Sequence, residues 1–263
     1  MRITGLGQVL FGLSFAMIGA LSIGFHDFAL AWELLPGWMA SHDAHHALDI
    51  ICGALLLIGG TGLLIPRMAI PASLLLTGLL LLRLLLLHAP RIAGHPLVEG
   101  VWESMSENLI YLAGVWTIFA MLSHDGRGRA RSGNARAGQV LFALATPAIG
   151  LSHFFYLNMT APLIPAWLPF HVPLAYFTGV AWIAAGVGIF FGVLPRLAAT
   201  LAAVMVSLFT LLVWVPAMIA APLSRANWGE ICTSAAITGA AWAVAESFRS
   251  RSWSFARSRT SFA

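Results

Sequence analysis

Residues 71–88 read PASLLLTGLLLLRLLLLH, a stretch in which leucine fills most positions and Arg83 stands alone between two leucine runs. A helix crossing a bilayer takes about 20 mostly apolar residues, and nothing here alternates as the strand of a membrane barrel does. The rest of the chain follows suit. Apolar runs near residues 6–25, 48–65, 69–88, 105–122, 138–157, 173–194, 197–219 and 231–247 predict an all-α integral membrane protein with eight transmembrane helices. Of the 263 residues, 59% are hydrophobic and 9% charged, where soluble domains carry about 25% charged residues. So few charges cannot cover a surface that faces water. The lipid bilayer is the partner this composition requires.

The charges are sorted by side. All 14 basic residues are arginine. Arg2, Arg67, the cluster Arg127, Arg129, Arg131 and Arg136, Arg196, and Arg249, Arg251, Arg257 and Arg259 fall at alternate breaks or at the termini. Cytoplasmic loops keep positive charge, so these breaks and both termini are expected inside the cell, in a bacterial inner (plasma) membrane. The other breaks hold Asp27, Glu33, Asp43, Glu99, Glu103, Glu107 and Glu230, with Arg91 and Arg225 among them. The net charge of +4 then reports orientation. No basic stripe interleaves with stacking aromatics, so nucleic acid is not an expected partner, and the arginines of the tail suit anionic lipid.

The chain also repeats itself. GQVLFGLSFAMIG from Gly7 returns as GQVLFALATPAIG from Gly138, and LPGWMASH from Leu35 as IPAWLPFH from Ile164. Pro66-Arg67 matches Pro195-Arg196, and Pro90, Pro96 and Trp102 match Pro216, Pro222 and Trp228. This implies a first four-helix unit over 1–122, an Arg-rich linker over 123–137, a second four-helix unit over 138–247 and a basic tail over 248–263. An even number of spans per unit makes both face the same way. Because its sequence recurs internally, the first apolar run reads as a retained helix and not a cleaved leader. Gly53, Gly59, Gly60 and Gly62, with Gly179, Gly186, Gly188 and Gly192, mark close helix contacts.

Ionisable groups at membrane depth are costly and so become functional candidates. Arg83 either snorkels to the surface or pairs with Asp49, Glu103 or Glu107, and His88 belongs to the same end of the unit. In SHDAHHALDIIC, residues 41–52, His42, His46 and Asp49 share one helical face. Two imidazoles one turn apart with a carboxylate make a metal-ligand set, one that suits Zn, Fe or Mn. The bland alternative is a solvated polar cap, with Asp49 serving only Arg83. The alignment of the halves sets Thr178 against Asp49 and Leu212 against Arg83, which confines polar chemistry to the first half. Cys52 and Cys232 read as buried thiols, or as a disulfide in an oxidising compartment. No catalytic residue stands out.

GALLLIGGTGLLIPRMAI from Gly53, GVGIFFGVLPRLAATLAAVM from Gly186 and NWGEICTSAAITGAAWAVA from Asn227 resemble the DoxX-like family of four-helix integral membrane proteins, here as two units in tandem. The chain departs from that pattern in helix one, with Gln8 where an Arg is expected and GFHDF at the end. The resemblance implies an accessory membrane subunit of a quinone-linked redox complex, with a redox partner protein and with a metal ion or quinone as cofactor. In that reading the polar pocket is Asp49, Arg83, His88, Glu103 and Glu107, and the metal set is His42, His46 and Asp49. The rival readings are a metal- or haem-dependent membrane enzyme and a small-solute transporter.

Overall fold

A computed structural model describes residues 3–26, 42–123, 132–251 and 253, with backbone alone for 42–46 and 132–134. Among the described residues there is no strand. Long helices dominate: α1 (Leu6–Phe25), α2 (His42–Leu64), α3 (Ala69–Gly94), α4 (Glu99–Leu122), α5 (Ser132–Phe155), α6 (His171–Phe191), α7 (Pro195–Ala220) and α8 (Arg225–Ser247). Seven of them, α1 to α7, are long and apolar enough to cross a membrane. The chain is thus a multi-pass, all-α protein built for lipid contact.

Helix α8 misses that threshold for a visible reason. It is rich in Ala, Gly, Ser and Thr, and it packs against α1, α4 and α7. Ala236, Ala240, Ala241, Ala243 and Val244 are completely buried. A helix walled in by other helices needs small residues, not a broad lipid-facing stripe.

Each helix packs chiefly on its sequence neighbour, α1 closes the series against α8, and α4 touches α8 across the middle. The contacts between α1 and α4, and between α5 and α8, are slight. The two halves therefore share one bundle, with α1 of the first leaning on α8 of the second and α4 leaning on α5. Glycines set the tightest contacts. A Cβ on Gly60 would run into the Ala16 backbone and the Gly12 carbonyl, and one on Gly53 into the Gly19 carbonyl. Gly150 and Gly179 face each other's carbonyls in the same manner between α5 and α6.

Helices α3 and α7 share an unusual interior. A 15-residue α-helical part (Ala69–Arg83) runs into a five-residue π-helical segment (Leu84–His88) and a six-residue end (Ala89–Gly94). In α7 the pieces are Pro195–Phe209, Thr210–Trp214 and Val215–Ala220. The cause is proline. Pro90 and Pro216 carry no N–H and crowd the preceding turn, and the amides just before them, Ala89 and Val215, reach back five residues to Leu84 and Thr210. The i→i+5 bond widens the helix there.

Some expected boundaries shift. Helices α2, α4, α5 and α8 begin about a turn or more before the predicted spans 48–65, 105–122, 138–157 and 231–247, because polar first turns continue helical geometry beyond the apolar run. Part of the expected linker 123–137 is helix, since α5 opens at Ser132. Arg136 donates to the carbonyls of Ile189 (3.4 Å) and Phe190 (2.9 Å), where a cation meets the C-terminal end of α6 favourably. The two Pro-Arg pairs are not equivalent in space: Pro66-Arg67 lies in the turn before α3, while Pro195-Arg196 opens α7.

Candidate functional site

The arginines of the helix turns mark one end of the bundle, here called the basic end, and α2, α3 and α4 carry the candidate residues toward the other. At 1.5 Å per residue, Asp49, Arg83 and Glu107 each lie about 20 Å from the basic ends of their helices. His88 and Glu103 lie about one turn further. The neighbours α2–α3 and α3–α4 are in contact, so the three helices carry these residues at about the same depth, a polar layer across the first half. Asp49 is 3% exposed, Arg83 6% and His88 2%. Arg83 therefore does not snorkel to the surface. Glu103 and Glu107 are half-buried. Each of the five engages a hydrogen-bonding, ionic, ring or electrostatic partner.

The π segment shapes this layer. The Leu84 amide is shared between the carbonyls of Leu80 and Leu81, and the wholly buried Asn108 donates from Nδ2 to Leu80 O at 3.1 Å. Sequence alone does not single out Asn108, which sits beside Glu107 and looks like any helix-entry amide. Its signal was a carboxamide where the polar stretch ESMSE from Glu103 gives way to the apolar run from Leu109. Ser106, also buried, was missed for the same reason. π-helical turns recur at functional sites in proteins generally, and this one lies between Arg83 and Ala89.

The metal set rests on side chains outside the described residues. His42 and His46 belong to the first turns of α2, whose backbone is described and whose side chains are not. Asp49 alone of that set is placed. Among the described residues no group of three His, Cys, Asp or Glu gathers as a metal cluster. Cys52 and Cys232 are buried thiols with no disulfide between them, so the disulfide alternative falls away. Chemically, a layer holding a guanidinium, carboxylates, an imidazole and a carboxamide has donors and acceptors for a polar ligand or a proton, at a depth that lipid would otherwise make dry.

Comparisons with protein-family models, with curated proteins and with solved structures found no match.

Proposed function

We propose that the protein is a DoxX-like membrane component, two four-helix units in tandem, acting as an accessory subunit of a quinone-linked redox complex. The observation that carries this reading is the burial of Asp49, Arg83 and His88 among helices apolar enough to span a bilayer. Ionisable groups kept at that depth are expensive and mark sites. The redox assignment draws on the family resemblance, with a quinone or metal ion as the group served and a redox protein as the partner.

The tandem arrangement has its own support. One fixed offset separates Ala69 from Pro195, Leu84 from Thr210 and Glu99 from Arg225. The same offset relates Gly53 and Gly60 to Gly179 and Gly186, which pack on α1 and α5 respectively. Trp102 Nε1 donates to Pro96 O at 2.9 Å and Trp228 Nε1 to Pro222 O at 3.0 Å. In this register Asp49, Arg83 and His88 stand opposite Ala175, Phe209 and Trp214, and not opposite the residues that sequence alignment alone suggests. The polar layer is then a speciality of the first unit. The eighth span, the cytoplasmic basic end with both termini and the bacterial inner membrane complete the reading, on the strength of the arginine distribution.

Purification from native membranes in mild detergent tests it. The expected result is a co-purifying redox subunit with quinone-dependent turnover, and loss of that association in Arg83→Leu with the bundle still folded. A chain that emerges alone, from membranes whose quinone reduction is the same with and without it, ends the reading.

A further inference from the structure

Where Asp49, Arg83 and His88 stand in the first half, the second half has Ala175, Phe209 and Trp214, and beside them lies a cavity of about 480 Å³. Its walls come from α6, from the α-helical and π-helical parts of α7, and from the segment that leads into α6, with Leu168, Thr178, Leu208, Phe209 and Trp214 among the lining residues. The volume falls in the range of small-molecule sites, about 300–1,000 Å³. The lining is aliphatic and aromatic apart from His153, at the end of α5, and two threonines.

The polar atoms narrow the occupant. His153 Nδ1 lies 2.8 Å from the carbonyl of Ile149 on its own helix. A carbonyl only accepts, so Nδ1 carries a proton; the apolar wall disfavours a charged ring, and in the neutral imidazole Nε2, on the opposite edge, keeps its lone pair. Among the described residues Nε2 has no hydrogen-bond partner. Thr160 donates its hydroxyl to Tyr156 O (3.1 Å) and Thr178 to Ala175 O (2.9 Å), so both protons are already used. An ionised headgroup in such a wall would go uncompensated.

We propose that this cavity binds an uncharged, membrane-soluble alcohol, its hydroxyl donating to His153 Nε2 and its hydrocarbon body lying between α6 and α7. The site is separate from the polar layer of the first half and does not depend on the redox reading. Ligand reaches it from the bilayer, since Phe177, Leu201 and Leu208 are exposed on the lipid-facing flank.

Binding of radiolabelled farnesol to the purified full chain in dodecylmaltoside tests the proposal, with farnesyl methyl ether as the competitor that cannot donate. Saturable binding of one farnesol per chain is expected, with the ether roughly fivefold weaker, the worth of one hydrogen bond. His153→Phe should bring alcohol and ether to equal affinity. Ala181→Trp, which fills the cavity, should abolish saturable binding, and both variants should unfold cooperatively like the parent. No saturable binding, equal affinity of alcohol and ether in the parent, or an unchanged preference in His153→Phe overturns the proposal. A missing redox partner would leave this result untouched.

Discussion

Arg136 and Phe170 illustrate how single side chains and single dihedrals carry weight here. Arg136 holds the last carbonyls of α6, so Arg136→Ala should lower stability by about 0.3–1 kcal/mol at this exposed site, read as a lower thermal midpoint in detergent. Phe170 caps the start of α6 with φ 61°, in the left-handed region, and is 75% exposed. Phe170→Gly removes the clash of Cβ with the backbone, and a gain of about 1 kcal/mol is expected; a lower midpoint would show that the ring contributes more than the strain costs. Arg196 stacks on Trp253 at 3.9 Å and donates to Arg251 O at 3.0 Å, which ties the start of the tail to the basic end.

Helix packing depends on where glycine meets backbone. Gly60 faces the backbone of α1, which cannot move aside as a flexible side chain would. Gly60→Ala should cost about 1–3 kcal/mol, whereas Gly78, with nothing within 4 Å of an added Cβ, should gain about 0.5–1 kcal/mol on becoming Ala. Equal midpoints for the two variants would refute the close α1–α2 contact. The π segments are also properties of elements. In both halves a side chain serves the carbonyl beside the widened turn: Asn108 reaches Leu80 O, and Thr210, itself bonded to Ser234 (2.7 Å) and Thr238 (3.0 Å), reaches Val206 O at 3.0 Å.

At the scale of the molecule, the two halves interlock. Helix α1 packs against α8, and Glu246 near the end of α8 accepts from the Leu6 amide at 2.8 Å. Separately expressed halves, residues 1–122 and 138–263, should therefore expose the α1–α8 and α4–α5 faces and be unstable alone. Co-expression should restore a complex that survives gel filtration, and two halves that stay monodisperse apart would contradict the shared bundle. Topology is checked with reporter fusions: activity from a cytoplasmic reporter is expected both in the 123–137 connector and after residue 263, and an outward-facing connector would reverse the orientation.

How legible all this was differs by scale. The leucine run around Arg83, the scarcity of charge and the arginine-only basic set specified helices in lipid without help, because hydrophobicity and length are properties of a segment by itself. Asp49, Arg83, His88, Glu103 and Glu107 stand out as candidates in the sequence because ionisable side chains are conspicuous against an apolar background. Asn108 and the cavity beside His153 do not, since each depends on the distance between helices and on the turn widened before a proline. Sequence determined that the chain must be a helical, lipid-facing bundle. Only tertiary structure decided that its halves share one core, because which helix faces close is settled by glycine-to-backbone fit between residues far apart in the chain.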